Sequence, residues 1–385
     1  MPTYSSNIVS KLPSVGTTIF TVMSRLAQEH NAINLSQGFP DFDCDPALKD
    51  LVSLHMREGR NQYAPMAGVP QLREAIAAKV RALYGASYDP EHEITVTPGA
   101  TYAIFNALAT LVRPGDEVIV FEPTYDSYVP SIEVQGGTPV CIGLKFPDYH
   151  IDWDEVKRAI TPKTRVILIN TPNNPTASVF SAADMQALEK ITRNTGIVIV
   201  SDEVYEHIVF DGAQHQSVAR FPGLAARSFV VSSFGKTYHV TGWKMGYCLA
   251  PRELMNEFRK VHQFNAFVCN SPVQYALAEF MQREEHYLGL AAFYQKKRDY
   301  FRDRLRESRF TLLPSDGTFF QSARYDDISD EKDTDFAVRL TREHGVAAIP
   351  LSAFYREPPP QKVLRFCFAK KEETLAKGTD ILRRI

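Results

Sequence analysis

Between residues 94 and 250, short β-branched apolar runs alternate with longer stretches whose apolar residues recur at helical spacing. That alternation is the pattern of a mainly parallel sheet covered by helices. The runs are ITV at 94–96, EVIVF at 117–121, PVCI at 139–142, RVILIN at 165–170, GIVIVS at 196–201, SFVVSS at 228–233 and GYCLA at 246–250. They predict an α/β unit built on seven strands. Residues 100–112 and 181–194 read as crossover helices, the second opening on Ser181 as N-cap. After about residue 285 the texture changes to a long charged helix through QKKRDYFRDRLRES, then FTLLP, GTFFQ, AAIPL and VLRFCFA as strand candidates around a helix near 333–344. This predicts a smaller α+β unit. The opening residues hold no strand–helix repeat and are placed with that unit, because chain ends in folded domains often lie close together. The expected division is a large domain over 46–285 and a small domain made of 1–45 and 286–385.

Composition adds bounds. A chain of 385 residues exceeds one comfortable hydrophobic core and can enclose a deep pocket. With 44% hydrophobic and 23% charged residues it is an ordinary globular composition that leaves no room for extensive disorder. Lys and Arg number 43 against 45 Asp and Glu, so the net charge of -2 offers no general attraction to nucleic acid or an anionic membrane. Cys44, Cys141, Cys248, Cys269 and Cys367 are scattered without a CxxC pair, which argues against a disulfide framework or structural zinc. The start carries no basic region followed by a continuous apolar stretch, and no segment has the length of a bilayer span, so a cytoplasmic protein is expected.

Candidate chemistry gathers where predicted strands end. In SSFGKTYHVTGWKMGY, residues 232–247, Lys236 follows an apolar strand through small residues. At the carboxyl end of a parallel strand it faces the crevice where open α/β sheets bind ligands, and shielding there lowers an amine's pKa toward a nucleophilic form. A surface lysine in a turn is the competing interpretation of this segment alone. In SDEVY, Asp202 ends the preceding strand and Tyr205 lies three residues on. A carboxylate beside a pyridine nitrogen keeps it protonated, and a unit charge pair at about 4 Å contributes roughly 4 kcal/mol at intermediate dielectric. A helix cap is the alternative for Asp202; a metal site is not expected, since no HExxH or EF-hand pattern occurs. In INTPNNPTA, 169–177, two prolines stiffen a loop that carries Asn174. In TPGATYA, 97–103, a strand turns through Gly99 into a helix, so the N–H groups of Ala100 and Thr101 form an anion site, although such turns are also common without one. No GxGxxG or GxxxxGK[ST] pattern points instead to a dinucleotide or nucleoside triphosphate.

Seven segments in order, SQGFPDF at 36–42, NQYAPMAGVPQLREAIA at 61–77, TPGAT, NTPNNPT, SDEVYEH, SSFGKTYHVTGWKMGY and LRFCFAKK at 364–371, resemble the class I/II aminotransferases of the fold-type I pyridoxal-phosphate enzymes over nearly the whole chain. Within them the likeness is to the methionine and kynurenine–glutamine aminotransferase branch. The resemblance implies pyridoxal 5'-phosphate as cofactor, Lys236 as the amine joined to its aldehyde, Asp202 paired with its ring nitrogen, Asn174 and Tyr205 bonded to its phenolic oxygen and Tyr125 of EPTYDSY stacked on the ring. It further implies that Ser233, Lys244 and the backbone at Gly99, Ala100 and Thr101 hold the phosphate, with Tyr63 reaching it from the second subunit of a homodimer. Gly38 and Asn174 would contact the substrate, whose α-carboxylate Arg365 would grip with its planar guanidinium. Two positions depart from the common pattern: Lys244 stands where many relatives have arginine, and Ala177 replaces a glycine after NPT.

Phe20, Phe39, Tyr63, Tyr125, Phe267 and Phe354 are candidate pocket walls. No second arginine is identifiable for a side-chain carboxylate, so methionine, phenylalanine, tyrosine, histidine, glutamine or kynurenine are expected as donors to a 2-oxo acid ahead of aspartate. The nearest rival is a carbon–sulfur β-lyase acting on cysteine conjugates. A ligand sensor fused to a DNA-binding module would need an extra helical segment before the first motif at residue 36, and a decayed structural protein would not keep Lys236, Asp202, Asn174, Tyr205 and Arg365 together.

Overall fold

In the computed structural model, which describes residues 8–385, the strands in chain order are β1 (Ile33–Asn34), β2 (Ile94–Thr97), β3 (Glu117–Glu122), β4 (Thr138–Gly143), β5 (Thr164–Asn170), β6 (Val198–Asp202), β7 (Ser228–Ser233), β8 (Gly246–Leu249), β9 (Thr311–Leu312), β10 (Phe320–Arg324), β11 (Val346–Ala347), β12 (Ile349–Pro350) and β13 (Val363–Cys367). Strands β2 to β8 form one seven-stranded sheet of order β2-β8-β7-β6-β5-β3-β4, in which only β8 runs antiparallel to its neighbours. This is the fold class that the apolar runs predict.

Successive residues of the central strands enter two different cores. Val118, Val120, Val166, Leu168 and Val200 join one, where Ile104 and Leu108 of the helix Ala100–Leu111 and Phe258 of the helix Arg252–Asn265 cover the sheet. Ile119, Phe121, Ile167, Ile169 and Ile199 join the other, with Met185 and Leu188 of the helix Ala182–Thr192. Burial on both faces is why these strands read as continuous apolar runs rather than as an alternation. The Ala182–Thr192 helix starts where Ser181 caps it, the Ser181 side chain accepting from the Asp184 N–H while Asp184 accepts from that of Ser181.

The topology delivers chemistry to one edge. Asn170, Asp202 and Ser233 are the last residues of the parallel strands β5, β6 and β7; Asn170 pairs with Asp202, and Gly246 at the start of β8 lies opposite both Ser233 and Thr97. Carboxyl edges of such sheets are where ligands bind.

After residue 310 the strands β12-β13-β10-β9 make a four-stranded antiparallel sheet, and β1 pairs in parallel with β11. Here the elements shift from expectation. GTFFQ begins as a turn, with Thr318 at φ 64, so β10 starts only at Phe320. AAIPL divides at Ala348, its halves serving different sheets, and FTLLP yields only Thr311–Leu312. The charged helix spans Leu290–Leu305 and that near 333–344 spans Asp333–His344. Among the described residues no helix is long and apolar enough to cross a membrane, and no cluster of His, Cys, Asp or Glu is placed to hold a metal ion.

A Cβ on Gly246 would lie 2.7 Å from Ser232 O and 3.1 Å from Ala100 N. Neither is a side chain that can rotate away. Gly246→Ala should therefore destabilise the protein by about 1–3 kcal/mol, the usual cost of forced overpacking, read as a lowered urea midpoint. An unchanged midpoint would mean that β2, β7 and β8 are not so tightly apposed.

Candidate active site

Asp202 is buried at the end of β6. Its Oδ2 accepts a hydrogen bond from the Tyr128 hydroxyl at 2.5 Å and its Oδ1 one from Val204 N–H at 3.2 Å. Burial pushes its carboxyl up to about 6, against the opposing pull of those two bonds. Beside it, Asn170 Nδ2 donates to Asp202 O at 3.0 Å while Asn170 Oδ1 accepts from Asn174 N–H at 2.7 Å. One amide thus pins the following loop to the neighbouring strand. In that loop Ala177 adopts φ 65, the left-handed conformation that glycine favours, so the absent glycine leaves the turn intact.

Lys236 sits on the single helical turn Phe234–Thr237, which Ser233 caps by accepting from Gly235 N–H at 3.1 Å. Its Nζ donates to Gly38 O at 2.9 Å and lies 5.6 Å from the centroid of the Tyr205 ring and 5.3 Å from that of Phe319. Burial, helped by the charges of Arg365 and Lys244, holds this amine down to about 8 although Asp202 opposes the shift. Lys244, itself left-handed at φ 53, reaches the turn at Gly99, where an added Cβ would come 3.5 Å from its Nζ. Gly99 stands at φ 84 as N-cap of the helix Ala100–Leu111, and no side chain caps that end. Uncapped N–H groups with an ammonium beside them form a place for an anion.

Arg365, in the middle of β13 and fully buried, donates from Nη1 to Asn174 Oδ1 at 2.7 Å and from Nη2 to Ser36 O at 3.0 Å. The guanidinium lies 3.9 Å over the Phe320 ring, its Nε has no partner, and burial pushes its pKa down to about 10. No carboxylate pairs with it among the described residues. The loop 36–39 that covers it is held by Lys370, whose Nζ donates to Phe39 O at 2.8 Å.

Gly99, Ala100, Thr101, Tyr125, Asn174, Asp202, Tyr205, Ser233, Lys236 and Lys244 line one cavity of about 140 Å³. Gly38 and Arg365 line an adjoining cavity of about 190 Å³, walled by Phe20, Phe39 and Phe320 and sharing Tyr125, Asn174, Tyr205 and Lys236 with the first. Phe354 is buried 5.3 Å from the Arg365 guanidinium. Tyr63 and Phe267 line neither cavity; they pack edge to face 5.5 Å apart, with Tyr63 81% exposed. Sequence reasoning missed Tyr128, Asn170, Phe320 and Lys370. Tyr128 had a signal, lying one helical turn beyond Tyr125 in EPTYDSY.

The family model for aminotransferase class I and II matches residues 30–382. Methionine aminotransferase of Escherichia coli (strain K12) is 51% identical over 377 residues, 98% of each chain. Kynurenine–oxoglutarate transaminase 1 of Rattus norvegicus is 32% identical over 413 residues, 97% of each. A crystal structure of an Escherichia coli protein for which a methionine aminotransferase function was identified matches with a TM-score of 0.97 at 51% identity, covering 99% of this chain and 100% of that one. The class that this sheet and these neighbours define is the fold-type I transferases. Within it, the chain belongs to the aminotransferase class I and II family, and it is an aminotransferase.

The depressed Lys236 amine has a thermodynamic signature. A group whose folded pKa lies below its unfolded value contributes stability above the unfolded pKa and loses it as pH falls through the folded one. In the cofactor-free protein, wild type should therefore lose stability relative to Lys236→Met between pH 10.5 and about 8. Denaturant melts of both proteins across that window test this; a constant difference would contradict a depressed amine.

Proposed function

We propose that this aminotransferase uses pyridoxal 5'-phosphate held in the first cavity to move the α-amino group of amino acids with neutral side chains to a 2-oxo acid. The observation that carries the reading is the convergence of Asp202, Lys236 and the uncapped Gly99 helix start in one buried cavity. The residues fit the cofactor group by group. Asp202, buried without an ion pair, suits a protonated ring nitrogen; Lys244, Ser233 and the N–H groups at Gly99, Ala100 and Thr101 suit a phosphate. Asn174 and Tyr205, which line the same cavity, would bond the phenolic oxygen, and Tyr125 would be the aromatic wall on which the ring stacks. The chemistry that pyridoxal 5'-phosphate supplies when bound is electron withdrawal from the substrate α-carbon. The remaining work belongs to the chain. Lys236 Nζ, held near pKa 8, can be neutral at working pH and so take the α-proton and return it. Arg365, with its Nε free, would receive the α-carboxylate beneath the 36–39 loop, whose Ser36 O it already holds.

A neutral side chain is supported by the phenyl walls of the second cavity and by Arg365 being, among the described residues, the only arginine that lines either one. Methionine, phenylalanine, tyrosine, histidine, glutamine and kynurenine are the proposed donors. A homodimer is proposed as well, with Tyr63 of the partner subunit completing the phosphate site. The exposure of Tyr63 and of Phe264, 87% exposed, supports this. Five free cysteines suit a reducing cytoplasm.

Lys236→Ala should abolish transamination and the visible absorbance that added pyridoxal 5'-phosphate gives the wild type; retention of both would remove Lys236 from its role. Arg365→Lys replaces a two-pronged contact by a point charge. It should lower kcat/KM for methionine roughly 10–100-fold, the equivalent of about 1.5–3 kcal/mol for a charge-assisted bond, whereas an unchanged value would place the carboxylate elsewhere. Initial rates over a donor panel should put methionine well ahead of aspartate, and an aspartate preference would overturn the substrate class.

A further inference from the structure

Tyr205 lies between two fully buried glutamates that the chemistry above does not use. Upstream, Glu203 accepts from Ser201 Oγ at 2.7 Å and Val218 N–H at 3.1 Å, with His215 Nε2 2.9 Å from its other oxygen. Downstream, Glu206 is bonded more densely. Its Oε1 accepts from Lys79 Nζ at 2.6 Å, from the Tyr247 hydroxyl at 3.0 Å and from Ser232 Oγ, and its Oε2 accepts from the Tyr84 hydroxyl at 2.5 Å. Lys79 and Glu206 side chains are only 5% and 3% exposed. Burial opposes charge on Glu206, yet Lys79, His207 and the Ser232 hydroxyl hold its carboxyl well below the usual range. The ion pair persists out of water.

Such a pair is weak evidence for net stability, because desolvation of both ions offsets much of their attraction. Its geometry suggests another use. Glu206 and two of its partners are one or two residues from groups lining the first cavity: Ser232 precedes Ser233, Tyr247 stands opposite Ser232 in the β7–β8 register and two residues past Met245, and Glu206 itself follows Tyr205, while Lys79 and Tyr84 reach it from the helix Pro70–Tyr84. Side chains of successive strand residues point to opposite faces, so fixing Ser232 from below fixes the direction of Ser233 above. The turn that carries Tyr205 is closed by Glu206 N–H to Glu203 O at 2.9 Å and Ile208 N–H to Tyr205 O at 2.8 Å. With both glutamates anchored, the backbone that carries Tyr205 is held on either side.

We propose that Glu206, locked by Lys79, is a positioning residue that sets Tyr205 and Ser233 in the register at which they receive the cofactor's phenolic oxygen and phosphate. The proposal rests on the reading of the first cavity as the pyridoxal-phosphate site. Neither Glu206 nor Lys79 lines that cavity, so both act through their neighbours.

The test compares wild type, Glu206→Gln and the double variant Lys79→Met/Glu206→Gln, with Phe336→Leu as a control destabilised in the buried core far along the chain. Three quantities are read: the melting temperature of the cofactor-free protein, the dissociation constant of pyridoxal 5'-phosphate, and the pH midpoint of the bound cofactor's visible absorbance. Glu206→Gln should weaken cofactor binding at least 10-fold and raise the midpoint, because a displaced Tyr205 no longer draws charge from the phenolic oxygen. The double variant, with no ion left unpaired, should regain melting temperature but not affinity or midpoint. Phe336→Leu should lose only melting temperature. Unchanged affinity and midpoint in folded Glu206→Gln would overturn the proposal. Should that variant not fold, Tyr84→Phe and Ser232→Ala each remove one donor and should weaken binding about 2–5-fold; no change in both would equally overturn it. Failure of the underlying site reading shows separately, as wild type that does not bind pyridoxal 5'-phosphate.

Discussion

The site depends on keeping three charged side chains out of water without pairing them. Asp202, Lys236 and Arg365 are enclosed in adjoining cavities, and none of the ion pairs among the described residues includes any of them. Their responses to burial all run toward neutrality: the carboxyl rises to about 6, the amine falls to about 8 and the guanidinium to about 10. In water each charge would be solvated at no structural cost. Here each is hydrogen-bonded but held by no ion pair, so a ligand of opposite sign gains directional binding at Asp202 and Arg365.

Holding such charges apart requires a stiff frame, and the hydrogen bonds supply it. Tyr128 and Val204 N–H restrain Asp202, Asn170 ties the Asn174 loop to β6, and Asn174 in turn receives Arg365 from β13. That last contact joins the four-stranded sheet to the edge of the seven-stranded one through a single amide oxygen. Lys236 and Lys370 both spend their donors on carbonyls of the 36–39 loop. A segment with little regular structure is thereby fastened from two distant parts of the chain.

The seven strands and their carboxyl-edge residues were legible because burial on both faces leaves uninterrupted apolar runs, and because Asp202, Ser233 and Lys236 follow those runs directly. What escaped has a common cause. It is the contacts rather than the residue types: although Tyr128 stands near Tyr125 and Asn174 and Arg365 were singled out, Tyr128 meets Asp202 across 74 residues, Asn174 meets Arg365 across 191 and Lys370 meets Phe39 across 331, separations at which no local pattern announces a partner. The region after 310 was read less well for a different reason. Its strands are two to five residues long, so a turn such as Thr318 or a handover such as Ala348 moves an element by most of its own length.

Charge balance connects this frame to substrate choice. Among the described residues Asp202 is the one acidic side chain lining the first cavity, against Lys244 and a protonated Lys236 there and Arg365 in the adjoining one. On the function proposed above, a phosphate and one α-carboxylate would supply negative charge here, offset in part by the protonated ring nitrogen, and a donor with a neutral side chain would add no further charge. A second carboxylate would arrive where the walls are Phe20, Phe39 and Phe320 and where Arg365, the sole guanidinium, is already engaged. Burying an unpaired carboxylate costs several kcal/mol, whereas an apolar side chain gains about 0.8 kcal/mol per methylene. On the function proposed above, the same desolvation that lowers the Lys236 amine would select against acidic donors.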